Sequence, residues 1–177
     1  MSALLLLLVI GCKKAAPPAP QLEPTMDRPP APSGTVVDGV FHDAAYGITV
    51  RLPPGWSAEA GAADGALRVR LDGRGSNPTR VEVWRFTGAE LAPRPKEGCS
   101  WTFQDLGPYF GIPGTEDLVL ASCTPDVAGA PRIFAWVVAR GGATWQFEVH
   151  APWARMLDGH REGSAVLQTI RWDDQEN

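Results

Sequence analysis

The sequence predicts an α+β fold: an antiparallel sheet of about six or seven strands packed with one C-terminal helix. Three observations lead there. Stretches that alternate apolar and polar residues recur from residue 46 to residue 150, and alternation is the period of a strand. Helical spacing of apolar residues occurs only after Pro152. The 19 Gly and 17 Pro break the 177-residue chain with turns, which a helical bundle would not tolerate. Hydrophobic residues make up 44%, enough to form a core in one folded unit, and residues 35–177 are read as that unit.

Residues 46–52 alternate and stop at Pro53-Pro54-Gly55, a turn. In 66–71, Leu67, Val69 and Leu71 face one way and Arg68 and Arg70 the other. A loop from Asp72-Gly73 to Pro78 follows. Residues 79–87 place Val81 and Val83 on one side and Trp84 and Phe86 on the other, so both faces are apolar and the strand is central and covered. Between 88 and 116 Gly and Pro are dense and helix character is low. Residues 99–103 and 118–123 read as short strands. The clearest hairpin joins 133–140 to 143–150 through Gly141-Gly142, since two glycines permit the positive φ that a tight two-residue turn needs.

Pro152 suits a helix first turn. Trp153, Met156, Leu157, His160, Ala165, Val166 and Leu167 follow at roughly helical spacing, with Gly159 and Gly163 predicted to weaken the helix and break it near Gly159. The chain closes with Ile170-Arg171-Trp172 and an acidic tail.

The first 34 residues have a different logic. Residues 4–10 are an apolar run, too short to span a bilayer as a helix, which takes about 20 residues, but suited to the core of a signal peptide. The run ends in Val9-Ile10-Gly11-Cys12, which resembles the lipobox of bacterial lipoproteins. The resemblance implies cleavage after residue 11, diacylglycerol on the Cys12 thiol, and a membrane as the first partner. Each buried CH₂ of such a lipid contributes about 0.8 kcal/mol, so several acyl chains hold durably. Met1-Ser2-Ala3 lacks the usual Lys or Arg, so either the start lies upstream or the terminal amine suffices. Lys13-Lys14 and then Pro17, Pro18 and Pro20, with more Pro up to Pro32, cannot form helix or sheet. Residues 12–34 are therefore a tether, which as polyproline II would reach about 70 Å at about 3.1 Å per residue. Lys13 rather than Asp follows the Cys, which by analogy with enterobacterial sorting favours the outer membrane.

A second resemblance covers about residues 41–173. The opening run Tyr46-Gly47-Ile48-Thr49-Val50-Arg51-Leu52-Pro53-Pro54-Gly55-Trp56 and the closing run Val166-Leu167-Gln168-Thr169-Ile170-Arg171-Trp172 resemble the ends of PsbP-like domains. Thr144-Trp145-Gln146-Phe147-Glu148-Val149, followed by Ala151-Pro152, fits the late strand of that group. The resemblance implies an antiparallel sheet packed with helices and a role in binding or assembly without catalysis. The chain departs from the pattern in 88–116, where a helix is replaced by Gly- and Pro-rich sequence.

Catalytic signatures are missing from the sequence. No Gly-x-Ser-x-Gly turn occurs. His42, His150 and His160 lack metal-ligand spacing, and Asp72-Gly73-Arg74-Gly75-Ser76-Asn77 lacks the acids of a calcium loop. No catalytic residue, cofactor or metal ligand is therefore assigned. Setting Cys12 apart leaves Cys99 and Cys123, an even pair expected to form a disulfide in an oxidising compartment. The seven tryptophans, Trp56, Trp84, Trp101, Trp136, Trp145, Trp153 and Trp172, are expected mostly in the core, with one or two available to line a groove. Arg51, Arg68, Arg70 and Arg80 form a stripe expected to pair across strands with acids such as Glu82. The net charge of −4 offers no basic footprint for nucleic acid.

These observations point to a lipid-anchored bacterial envelope protein that binds or assembles, with an envelope protein among its expected partners. Two alternatives remain open: an envelope hydrolase whose site is assembled by folding around His150 or His160, and a carrier with a Trp-lined cavity.

Overall fold

The computed structural model describes residues 34–61, 66–88, 90–104, 111–115 and 118–173. Cys12, the signal segment and the tether lie outside the described residues. The elements run β1 (Thr35–Val37), β2 (Val40–Asp43), β3 (Ile48–Arg51), β4 (Ser57–Ala60), β5 (Leu67–Asp72), β6 (Arg80–Thr87), β7 (Cys99–Gln104), β8 (Leu118–Pro125), β9 (Arg132–Arg140), β10 (Ala143–Ala151), α1 (Met156–Leu167) and β11 (Arg171–Trp172).

Seven strands form one sheet in the order β4-β5-β6-β10-β9-β8-β7, and every pairing is antiparallel. The expected sheet and its C-terminal helix are therefore present. A second sheet, β1-β2-β3-β11, was not foreseen. Strand 46–52 belongs to it rather than to the large sheet. Its closing strand comes from the chain's end: Ile48 pairs with Trp172 and Thr49 with Arg171. The opening and closing runs that resemble PsbP-like domains are thus neighbours in space.

The β9–β10 hairpin turns on Gly141 and Gly142 at φ +57° and +69°, as the sequence predicts. It supplies the centre of the core. Phe134, Trp136 and Val138 of β9 line up with Val149, Phe147 and Trp145 of β10. Val81 and Val83 of β6 extend the row. This face is closed by Phe41, Ile48 and Val50 from the small sheet and by Val166, Leu167 and Ile170 around the end of α1. Cys99 and Cys123 form the expected disulfide, on β7 and β8 with Cα atoms 5.7 Å apart. Closing a loop of that length stabilises the fold by about 3 kcal/mol by restricting the unfolded chain.

Two readings from the sequence are corrected. The helix does not break near Gly159; α1 is continuous from Met156 to Leu167. Gly159 and Gly163 are buried, and they are what lets the helix approach β10. A Cβ on Gly163 would stand 2.3 Å from Val149 Cγ1. The buried stripe therefore runs through the glycines, while Trp153 and Leu157 are 57% and 74% exposed.

The second correction concerns Arg68. One step along β6, from Trp84 to Val83, takes β5 from Leu67 to Val69. The extra residue is a bulge, and strict alternation fails there. Arg68 turns inward and is fully buried. Its Nη2 and Nε donate to Asp43 Oδ2 at 2.6 and 3.0 Å, and its guanidinium lies 4.4 Å from the Tyr46 ring centroid. The anticipated arginine stripe is divided. Arg70 and Arg80 pair across strands with Glu82 and Asp72 as expected, while Arg51 is exposed on the small sheet.

Candidate functional site

Two places gather polar chemistry. The first is on the outer face of the large sheet. Thr144, Gln146, Glu148 and His150 alternate along β10 and point away from the apolar core. Three of them hold the stretch before β7 against the sheet. Thr144 Oγ1 accepts the Glu90 N–H at 2.9 Å, Gln146 Oε1 accepts the Arg94 N–H at 2.8 Å, and Lys96 Nζ donates to Glu148 Oε2 at 2.6 Å. These contacts explain why a Gly- and Pro-rich stretch without helix character keeps one position: β10 side chains satisfy its backbone donors.

Where this cover ends, Glu82 of β6 stands directly across from Glu148. Two like charges so placed repel unless cations separate them. His150 Nε2 lies 2.8 Å from Glu148 and 3.4 Å from Glu82, and Arg70 Nε donates to Glu82 at 3.3 Å. Burial pushes the Glu82 carboxyl up, but the His150 bond and charge, with Lys96 and Arg70 behind them, outweigh it and hold it at about 2. Glu148 is likewise lowered against its burial, by His150 and Lys96. Burial lowers His150, yet its bonds to Glu148 and Glu82 prevail and raise it.

One ligand atom each from Glu82, Glu148 and His150 fall within 4.8 Å of one another, so a cation could be met by all three. Lys96 already supplies positive charge at Glu148. Both carboxyls are held below the ordinary carboxylate value and stay ionised near neutrality, while the His150 imidazolium between them is stabilised. The cluster reads as an ion-pair network that fixes the sheet's cover. Sequence reasoning missed it because Glu82 and Glu148 are 66 positions apart and meet only through β-pairing; the polar alternation of β10 was the available sign.

His160 has a different setting. It stands 4.4 Å from Phe134 and 5.7 Å from Trp136, ring centroid to centroid, and burial lowers its pKa. His42 Nε2 lies 3.3 Å from Asp173 Oδ2 on the small sheet. The fold does not bring the three histidines into one site.

The second place is a cavity of about 280 Å³ at one end of the core. Its walls are Tyr46 and Gly47, Arg85 of β6, Arg140 and Gly141 at the hairpin tip, Trp145, and the closing pair Trp172 and Asp173. Arg85 continues the inward row of Val81 and Val83 and sits directly across from Trp145. Its guanidinium lies 4.2 Å from the Tyr46 centroid and 5.9 Å from that of Trp145. Arg140 packs over Trp172 at 4.7 Å and donates to the Gly114 carbonyl at 2.8 Å. Trp172 Nε1 donates to the Pro113 carbonyl at 3.0 Å, so its ring orientation is fixed. Trp145 and Trp172 of the seven tryptophans thus line this cavity. The sign in the sequence was an arginine on the inward side of an otherwise apolar strand.

A further cavity of about 290 Å³ lies between residues 124–130 and exposed Trp153. Neither of these cavities is lined by His150 or His160.

No protein-family model matches the chain, and no curated protein matches it. Among solved structures, the solution structure of cyanobacterial PsbP (CyanoP) from Synechocystis sp. PCC 6803 is similar, with 10% identity and a TM-score of 0.49 over 80% of this chain and 99% of that one.

Proposed function

We propose that this protein is a lipid-anchored component of a bacterial cell envelope, held to a membrane by diacylglycerol on Cys12, whose folded part binds or assembles and does not catalyse. The observation that carries the reading is the order of the chain: the lipobox Val9-Ile10-Gly11-Cys12, a Pro-rich leash, then a folded unit. A leash lets a fixed anchor serve a module that must search for its partner, because the linker sets an effective concentration near the membrane. The open cavity with defined geometry is lined by arginine and aromatic side chains, which bind and orient ligands. The cluster of Glu82, Glu148 and His150 on the outer face lines neither of the two cavities described above. The PsbP-like character of the opening and closing runs also favours a binding or assembly role. Lys13 after the anchor Cys favours the outer membrane.

The test is affinity purification of the full chain from gently solubilised membranes, with mass spectrometry of the bait and its companions and Cys12→Ala as control. A bait carrying the lipid mass on Cys12, with an envelope protein lost in the control, supports the reading. A bait with an unmodified Cys12 thiol, or turnover of an envelope polymer by the purified chain, overturns it.

A further inference from the structure

We propose that the cavity at the end of the core binds a small organic anion, its acid group on the Arg85 guanidinium in a pocket whose walls include Tyr46, Trp145 and Trp172; the inference rests on the binding-module reading and names the ligand class of that module.

Charge makes the first argument. Arg68, one strand away, is matched by Asp43 at 2.6 Å. Among the described residues Arg85 has no such partner: its guanidinium touches only aromatic rings and makes no hydrogen bond or ion pair. Asp173, the acid in the cavity wall, lies 3.3 Å from His42. Arg140 adds a second guanidinium. The lining therefore carries a net positive charge, two arginines against one aspartate, in a chain whose net charge is −4. A positive concave spot on an acidic protein selects anions.

Geometry makes the second. The Arg85 guanidinium carbon lies over the Tyr46 ring, 4.2 Å from its centroid, and its N–H groups bond no described residue. That arrangement suits the two parallel hydrogen bonds of a carboxylate or phosphate. The rings are themselves held. Trp145 stands edge-on to Trp172 at 5.2 Å and to Tyr46 at 6.0 Å, and Trp172 is tied to Pro113. Trp145 and Trp172 are 3% and 2% exposed, so they form a rigid, preformed floor that costs no entropy of ordering, and an anion meets chiefly the guanidinium groups. At about 280 Å³ the cavity lies at the small end of ligand sites, which run from about 300 Å³, and so fits one ring with its acid group and not a polymer.

The experiment titrates the purified full chain with benzoate, phenyl phosphate, benzyl alcohol and benzylamine. The readout is the indole N–H resonances of Trp145 and Trp172. Expected are saturable shifts of these two signals with benzoate or phenyl phosphate in the low-millimolar range, and none with the alcohol or the amine. The two anions distinguish a carboxylate from a phosphate as the acid group. Arg85→Gln should weaken the anion by about tenfold or more, the effect of losing charge-assisted hydrogen bonds. Arg85→Lys, which keeps the charge and loses the fork, should fall between. Arg74→Gln, in an exposed loop, should bind as the parent does. Should Arg85→Gln fail to fold, the Lys variant and the uncharged probe still decide the matter. Anions that leave both indoles unmoved, an amine that binds as well as benzoate, or an Arg85→Gln protein that keeps full affinity would each overturn the proposal. A chain that ignores these anions yet retains its envelope companions refutes the ligand class and leaves the binding module standing.

Discussion

Replacing Arg68 by Met tests the least expected contact in the fold. Both side chains of the Arg68–Asp43 pair are 0% exposed. Met preserves the length and apolar body of the arginine stem but leaves the Asp43 carboxylate in the core without its cation. Asp43 Oδ2 would lose donors at 2.6 and 3.0 Å, retaining the Ala45 N–H at 3.1 Å on Oδ1. Removing one partner of a buried pair costs about 3–5 kcal/mol. Against a total stability of about 5–15 kcal/mol, that is a fifth or more of what holds a domain folded. The same principle gives the control. With Asp43→Leu also introduced, no charge is stranded, and the double variant should return to within about 2 kcal/mol of the parent, the remainder reflecting the lost Ala45 bond. Urea unfolding followed by tryptophan fluorescence measures all three proteins. If Arg68→Met moves the urea midpoint no further than Arg51→Met on the exposed strand, the burial argument is wrong.

Two other expectations follow from the outer network and from the helix seat. Glu82 is held at about 2 rather than 4.5, so its contribution is complete above pH 4.5 and is lost as pH falls toward 2. At about 1.36 kcal/mol per pH unit this is at most about 3 kcal/mol, less where solvent reaches the carboxylate. His150 is raised, so its contribution is complete below the ordinary histidine value of about 6.5 and is lost as pH rises through the raised one. Urea midpoints across pH should therefore be highest between these limits for the parent, and His150→Gln should flatten the alkaline decline; parallel curves for the two proteins would refute the network. Gly163→Ala should destabilise by up to about 2 kcal/mol in thermal unfolding, since overpacking costs about 1–3 kcal/mol and the gain in helix propensity returns about 1. Val149→Ala in the same chain should relieve it, because Val149 Cγ1 is what the new methyl would meet at 2.3 Å. A Gly163→Ala protein more stable than its parent would show that the helix seat is loose.

The sequence by itself determined what depends on neighbours along the chain. Alternation in β6, β9 and β10 placed those strands, since a side chain's face in a strand depends only on its parity. Gly141-Gly142 set the hairpin because positive φ is a local demand. The lipobox and the Pro-rich leash carry the proposed address for the same reason: a peptidase and a proline ring both act on a few consecutive residues. The pairing of Cys99 with Cys123 was legible by elimination, with only two cysteines in the folded part.

Tertiary structure alone decided what depends on partners far away. An extra residue in β5 reversed Arg68, and the sign of that bulge lies in the register with β6, not in β5 itself. Gly159 and Gly163 looked like weaknesses because propensity weighs an isolated helix; against β10 the missing Cβ atoms are what permit contact. The small sheet required the chain's end to return beside Ile48, which no local pattern encodes. Glu82, Glu148 and His150 became a network, and Arg85, Trp145 and Trp172 a cavity wall, only when strands separated by tens of residues were paired. Charge and aromaticity are properties of the sequence; which charge lacks a counter-ion, and which rings border a cavity, are properties of the packing.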